Sequence, residues 1–495
     1  MGSKRSQRPA DLISVLPEDL LLEILERLGS ARAAAATSLL SRRWRGLWTR
    51  LPSLTLNLHD LPFGFIQAAL RRAATRRRPG VYIYHLSIRV AGQAGMIGSG
   101  SFSSLLRDAA SLSPVELRLT LPWNLQVSCM DVALSSFHRA TSIDLRARSL
   151  HLTVFAKPYA VGNGAWYVPF RSLERLSLSG CHIDLANFIP FCPRLRVLRL
   201  NTTGLIDMGN IAIHSTSLEE LVVEHGNRWT RRTHVSVDLD SPVLKQLTAS
   251  FHACGNIRVS ILAPMLDKIW WRCSYDKPIY GLGLWGLSEV GFNIEETHGQ
   301  TDSGSGRDAC VQLPSVHVLS VSAVQDSVRF PNADLSFAAE IDKHMVTNFS
   351  GLDLHLSTKG HMFGAFVLHL LGMHRIHTAL RSLKIVLLRS EVKDACPVNC
   401  LCDEPKNWRT ETITLADLEN MEIEGVGGED HEFDFLKVIF GCAPVLKRVT
   451  VKLSDGVTPS VDWCTKVNNI FMAYPSVECN ADLWSYRLEV VQSLM

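Results

Sequence analysis

Residues 173–200 read LERLSLSGCHIDLANFIPFCPRLRVLRL. The hexad L-x-x-L-x-L occurs twice in this stretch, at Leu173 and at Leu195. Its x-L-x-L half alternates apolar and polar residues, which makes a short strand with one buried face. The leading leucine turns in from the preceding loop. Between the hexads, Ile183, Leu185 and Phe188 form a second apolar cluster on the return segment. A unit of this kind cannot bury its faces alone, so neighbouring units must stack.

Outward from this pair, with other apolar residues allowed, the hexad recurs. It reads LEELVV from Leu218, LKQLTA from Leu244, LDKIWW from Leu266 and LSEVGF from Leu287. It continues as VHVLSV from Val316, FSGLDL from Phe349, LRSLKI from Leu380, LENMEI from Leu418 and LKRVTV from Leu446. The first six starts are 22, 23, 26, 22 and 21 residues apart, and later intervals run from 28 to 38. Weaker copies end at Leu86-Ser87-Ile88, Leu117-Arg118-Leu119 and Ile143-Asp144-Leu145. The expected fold is α/β: an irregular solenoid whose strands form a curved parallel sheet, a horseshoe with helical or irregular segments on its convex side. Ordinary amphipathic strands of one α/β domain are the competing reading. The number of recurrences favours repeats.

Composition sets the bounds. The chain has 495 residues, 46% hydrophobic and 20% charged, which excludes a disordered protein and suits several domains or one repeat array. Lys and Arg number 51 against 48 Asp and Glu, a net charge of +3. Residues 1–80 hold 14 Lys/Arg and 6 Asp/Glu, a balance of +8 that leaves −5 for the rest. A basic head on a mildly acidic body suits an acidic partner for the head. MGSKRSQRPADLI has no apolar core of a secretory signal, so the twelve cysteines are expected as thiols in a reducing compartment, cytoplasm or nucleus. The N-x-[ST] matches at Asn201 and Asn348 are then without meaning. The longest strongly apolar stretch, Met362 to Met373, falls short of the roughly 20 residues of a membrane span.

The head begins after a polar, basic tail at residues 1–10, expected to be disordered. DLISVLPEDLLLEILERLGS follows. Pro17 suits a first helical turn, and Glu18 and Asp19 favour its positive end. Leu20, Leu21, Ile24, Leu25 and Leu28 recur at helical spacing, and Gly29 stops the helix. Ser30 caps a second helix through ARAAAATSLL, and Ser41 a third through RRWRGLWTR, stopped at Leu51-Pro52. Three such helices make a small core that needs a partner. Trp44, ringed by Arg42, Arg43 and Arg45, has the composition of an interface hot spot. A plain helical bundle and a nucleic-acid-binding unit are the alternatives. For the latter, the two tryptophans are destined for burial where base-reading side chains are needed.

LPEDLLLEILERL followed by TSLLSRRWRGLW resembles the F-box, in the version common in plant F-box families. The resemblance covers about 40 residues, within 11–52. It implies docking onto the acidic Skp-family adaptor of a Skp–cullin–F-box ubiquitin ligase. The contacts it implies are Leu16, Pro17, Leu20, Ile24, Leu25, Leu28, Leu39, Ser41 and Trp44. The middle helix is richer in alanine than the family's, at Ala31 and Ala33 to Ala36, which would weaken docking. The hexads, over 53–409, resemble leucine-rich repeats of the plant F-box type, with Asn201 at the position where such repeats often place Asn. From about Thr410 to the end at 495, the stretch LADLENMEIEGVGGEDHEFDFLKVIFGCAPVLKRVTVKL resembles the FBD module that follows such repeats, and a last helix, DWCTKVNNIFMAYP, comes after it. Phe435, Leu436, Ile439 and Phe440 form the apolar face of its first helix.

Chemical motifs are few. Cys396, Cys400 and Cys402 crowd CPVNCLCDE and suggest zinc, with Cys442 or His431 as a fourth ligand. Their spacing is not a pair of C-x-x-C knuckles, so free cysteines in a Pro-containing loop are the preferred reading, and no metal or cofactor is expected. GLGLWG at Gly281, Gly283 and Gly286 matches a dinucleotide fingerprint literally, but a repeat strand follows it where a helix is required, so a turn is expected. MGSKRS matches a myristoylation pattern at Gly2, a match frequent by chance. RRAATRRR, Arg71 to Arg78, is expected to be a solvated basic helix face. The Gly/Ser-rich stretches 91–101 and 295–309 are expected as loops. No catalytic constellation is present. The expected function is that of a non-catalytic adaptor: the head binds a Skp-family protein and through it a cullin, and the repeats hold an unidentified target protein, with neither nucleic acid nor membrane as partner. A small-molecule receptor with a pocket near Trp270-Trp271, and a scaffold that never engages a ligase, remain open.

Overall fold

The computed structural model describes residues 16–28, 31–45, 47, 53–76, 82–90, 98–122, 130–153, 160–161, 165–166, 170–201, 210–224, 234–253, 256–275, 280–295, 316–325, 333–389, 396, 400–404, 406–410, 413–454, 457 and 459–482. The basic tail, Gly2, Gly29, Ser30, Leu51, Pro52, Arg77, Arg78 and most of the two Gly/Ser-rich stretches lie outside the described residues. The chain divides into two compact units: Met1–Asn227 with Asp240–Leu244, and Arg228–Leu239 with Lys245–Met495.

In the first unit a parallel sheet runs, in chain order, through Ser53–Leu61, Tyr82–Val90, Glu116–Thr120, Ser142–Thr153, Arg175–Ile183, Val197–Asn201 and Glu220–Glu224. The hexads set the register. Leu176 pairs with Leu198 and Leu178 with Leu200, and the rows continue to Leu221 and Val223. The leading residues Leu173, Leu195 and Leu218 are fully buried. Helices Phe63–Arg76 and Ser99–Ser111 make two of the crossovers. Between Arg175–Ile183 and Val197–Asn201 the return is a short helix, Leu185–Phe188, capped by the Asp184 carboxylate and burying the expected Leu185 and Phe188. Gly180, at φ +63°, sits where the pairing of Ser142–Thr153 with Arg175–Ile183 slips. A Cβ there would lie 1.9 Å from the Ala147 carbonyl oxygen, so only glycine fits this bulge.

The second unit corrects the all-parallel expectation. Gln246–Ala253 and Lys268–Tyr275 are parallel, but Trp285–Glu295 runs antiparallel to Lys268–Tyr275 and to Val316–Gln325. The hexad from Leu287 is therefore a strand of reversed direction. A parallel return needs a crossover of about a dozen residues or more, and only residues 276–284 separate the two strands. A hairpin precedes the reversed strand instead: Gly281–Leu282 pairs with Trp285 and Gly286, and Gly283 takes φ +60° in the turn. GLGLWG is that hairpin, with a strand after it.

Beyond it a parallel ladder runs through Val316–Gln325, Gly351–Ser357, Ser382–Leu388, Asn420–Val426, Arg448–Leu453 and Glu478–Asp482. Helix Gly364–Leu371 carries the most apolar stretch of the chain and buries nearly all of it. Among the described residues no helix is long and apolar enough to cross a membrane. The FBD-like stretch supplies the helices Asp430–Cys442 and Val461–Met472. The first begins with a reciprocal capping box between Glu429 and Glu432. Beyond its half of that box on the Glu429 N–H, the buried Glu432 carboxylate accepts from the backbone N–H groups of Gly427 and Gly428 and is paired with Arg389.

Candidate functional site

Helix Glu18–Arg27 starts at Pro17 with Glu18 and Asp19 in its first turn. Its leucines fall in two stripes. Leu21 and Leu25 are buried, at 0% and 1% exposure. Leu20, Ile24 and Leu28 lie at i, i+4 and i+8 and stay exposed at 44%, 38% and 42%. The two stripes are one residue apart in sequence and about 100° apart around the helix. Past the second helix Ala31–Ala36, Leu39 at the end of the 3₁₀ turn Thr37–Leu39 and Leu40 after it are exposed at 90% and 69%. Leu16 is partly exposed, and Pro17 and Ser41 are exposed.

Two of the contacts implied by the resemblance sit elsewhere. Leu25 and Trp44 are buried, with Leu21, Ala34 and Leu47. So small a unit must spend its bulkiest side chains on its own core, and the second helix packs on the strand Ser53–Leu61. Trp44 is a core residue that supports the face rather than an exposed anchor. Among the described residues of the third expected helix, no α-helical turn is seen. Trp44, Arg45 and Leu47 donate to the carbonyls three residues before them, a run of tight turns, while Gly46 and residues 48–50 lie outside the described residues. The Ser41 hydroxyl accepts from the Arg43 N–H, and the Arg43 guanidinium donates to the Leu16 carbonyl. Such local hydroxyl bonds compete with the α-helix. Arg42, Arg43 and Arg45 remain exposed.

The cysteines of CPVNCLCDE come together, with a partner the sequence did not indicate. The ligand atoms of His361, Cys396, Cys400 and Cys402 all lie within 4.8 Å of one another. His361 Nδ1 is 3.4 Å from Cys396 Sγ and 3.2 Å from Cys400 Sγ, and Cys396 Sγ is 3.4 Å from Cys402 Sγ. Burial pushes the Cys396 and Cys402 thiols up. The fourth residue is neither Cys442 nor His431. Cys442 is buried at the end of its own helix, and His431 packs its ring edge-on against Phe363, 5.8 Å between centroids. Register explains the grouping. Ser357 pairs with Leu388 at the parallel ends of their strands. The chain leaving each end therefore enters the same region, His361 four residues on and Cys396 eight.

Other candidates resolve as structure. Trp271 is fully buried and donates from Nε1 to His344 Nδ1 at 3.0 Å, while Trp270 is 39% exposed on the other face of its strand. They do not wall one pocket. The sequence also missed the network behind Trp271. Tyr275 donates to Glu340 at 2.7 Å and lies 2.8 Å from His344 Nε2, and Lys343 reaches Glu340 at 2.7 Å. Burial holds the His344 imidazole below its ordinary pKa. Burial opposes ionisation of Glu340, but the bonds from His344, Lys343 and Tyr275 outweigh it and the carboxyl lies below its usual range. Asn201 bonds sideways to Glu224 at 2.9 Å on the neighbouring strand. Arg71 pairs with Asp108 at 3.0 Å on an exposed face.

Comparison with known proteins bears on the first of these sites. Residues 13–56 match the F-box domain. An F-box/FBD/LRR-repeat protein of Arabidopsis thaliana is 26% identical over 255 residues, 48% of this chain and 52% of that protein. A putative FBD-associated F-box protein of the same plant is 26% identical over 312 residues, 54% of this chain and 74% of its own length. A second F-box/FBD/LRR-repeat protein is 49% identical over 53 residues, 11% of each chain. The chain spans about half the length of the curated relatives it matches first. The exposed Leu20–Ile24–Leu28 stripe thus lies within the residues that match the F-box domain, in a chain similar over about half its length to Arabidopsis F-box/FBD/LRR-repeat proteins.

Proposed function

We propose that this chain is the substrate-recognition subunit of a Skp–cullin–F-box ubiquitin ligase. One observation carries the reading: the F-box helix keeps an apolar stripe, Leu20, Ile24 and Leu28, in solvent while its adjacent stripe fills the core. F-box domains generally bind Skp-family adaptors, and an uncovered apolar stripe rimmed by charge is the chemistry of such a contact. Leu39, Leu40, Pro17 and Ser41 are also exposed in the same F-box stretch. The cullin is reached through the adaptor. The repeats hold a target protein, and the chain contributes proximity rather than bond chemistry. Cytoplasm and nucleus are the proposed compartments.

The test is co-purification of the full chain with a Skp-family adaptor. Leu20→Ala, Ile24→Ala and Leu28→Ala together should abolish capture and leave the thermal melt in place. Equal capture by the triple variant would sink the reading and favour a scaffold that does not engage a ligase. Trp44→Ala is a poor probe, since it opens a cavity in the core that the face rests on.

A further inference from the structure

We propose that His361, Cys396, Cys400 and Cys402 bind a structural zinc ion that ties the 389–419 connection to the turn at 358–361. The donor set is three thiolates and one imidazole, a closed Cys₃His combination typical of structural zinc. In a zinc tetrahedron with bonds of about 2.3 Å to sulfur and about 2.0 Å to nitrogen, ligand atoms stand roughly 3.5–3.8 Å apart. Three of the six separations are 3.2, 3.4 and 3.4 Å, and all lie within 4.8 Å. The Cys396–Cys402 separation is far beyond a disulfide bond of about 2.05 Å. Soft sulfur ligands in a tetrahedral arrangement select zinc over magnesium, calcium or manganese. With four protein ligands no position is left for substrate, so the role is structural.

The surroundings give the ion a task. Strands Ser382–Leu388 and Asn420–Val426 are joined by a connection whose described residues form only the 3₁₀ turns Leu401–Asp403 and Lys406–Thr410. Connections this long without regular structure are uncommon in a compact unit unless something fixes them. Half of the fixing is visible. Trp408 is fully buried over Gly364, where a Cβ would come within 2.6 Å of its ring. Asp403 accepts from Trp408 Nε1 at 2.8 Å and from Arg409 at 2.7 Å. Arg409 continues to Asp434 at 3.0 Å. Asp403 follows Cys402 directly, so the aromatic anchor and the cluster are two ends of one clasp. On the opposite side, Lys359 and Gly360 take φ +44° and +87°. The His361 N–H donates to the Thr358 carbonyl at 2.9 Å. This tight turn holds the imidazole at the strand end, where the three sulfurs converge. Binding releases the thiol protons to solvent, and no redox step is involved.

The experiment uses the full chain, expressed with added zinc, passed over a chelating resin and analysed by elemental mass spectrometry. About one zinc per chain is expected, falling at least about fivefold in Cys400→Ser and in Cys402→Ser and held near one in His361→Cys. Cobalt loaded in place of zinc should give the visible bands of a tetrahedral thiolate site, and His361→Cys should shift them toward those of four thiolates. This readout does not depend on whether the serine variants fold. A wild-type chain with less than about a tenth of a zinc and no tetrahedral cobalt spectrum overturns the proposal. So does full metal content in the serine variants, or a Cys396–Cys402 disulfide in chain kept under reducing conditions.

Discussion

Helices Glu18–Arg27 and Asp430–Cys442 are of similar length, amphipathic and acidic in the first turn. They end differently. The first has no side-chain cap and leaves Leu20, Ile24 and Leu28 in solvent. The second is closed by a reciprocal capping box and buries Phe433, Phe435, Leu436, Ile439 and Phe440, along with Glu432. Periodicity reports an apolar arc in both. Whether the chain itself covers that arc depends on how much neighbouring structure is available. The second helix lies among the strands and helices of its unit, while the first belongs to a segment too small to cover both of its stripes. An arc left over in this way is where a partner fits.

The contrast can be broken by mutation. The largest expected effect is on the covered helix: Phe435→Ala should cost about 3–5 kcal/mol of unfolding free energy in a urea titration. The exposed stripe should behave in the opposite way. Leu20, Ile24 and Leu28 changed together to Ala should weaken adaptor binding about 100-fold by calorimetry, near 3 kcal/mol, with the midpoint of unfolding nearly unchanged. If unfolding moves as much as binding, the stripe is core and the comparison fails. Next comes Glu432→Gln. It takes the charge from the carboxylate that caps the helix and pairs with Arg389, and should cost about 2 kcal/mol in the same titration. The smallest effect is on pH. The Trp271 N–H donates to His344 Nδ1, so the neutral imidazole fits and an imidazolium would set N–H against N–H. The folded pKa of His344 is below the ordinary 6.5. Below that value the unfolded chain takes up more protons than the folded one, so stability present above about pH 6.5 is lost as pH falls toward the folded value. The depressed Glu340 carboxyl adds a loss at still lower pH. Thermal melts from pH 7 to 5 should move downward, and His344→Gln should lose part of that slope.

Much of the sheet was legible because its signal is local. Each hexad from Leu173 to Leu446 coincides with a strand, since alternation of apolar residues is a property of the strand itself. Strand direction was not legible at Leu287. The hexad there looks like the others, and the reversal came from the short connection and its glycine hairpin. Of the candidate sites, the F-box stretch was recognisable, but the roles of Leu25 and Trp44 inside it were not, because a helix with two adjacent leucine stripes does not say which one faces in. His361 stands 35 residues from Cys396, and no spacing rule joins them.

Local pattern was enough to define the elements: an amphipathic helical head, a series of apolar-alternating strands, and an amphipathic helix near the C-terminal end. These follow from backbone periodicity, which acts over a few residues. Packing alone sets which leucines of the head remain in solvent, which strand turns back, and which histidine meets three cysteines. Those outcomes depend on what lies against a residue from elsewhere in the chain. Parallel pairing of Ser357 with Leu388 brings the two strand ends together across more than thirty residues of sequence, and with them the cluster.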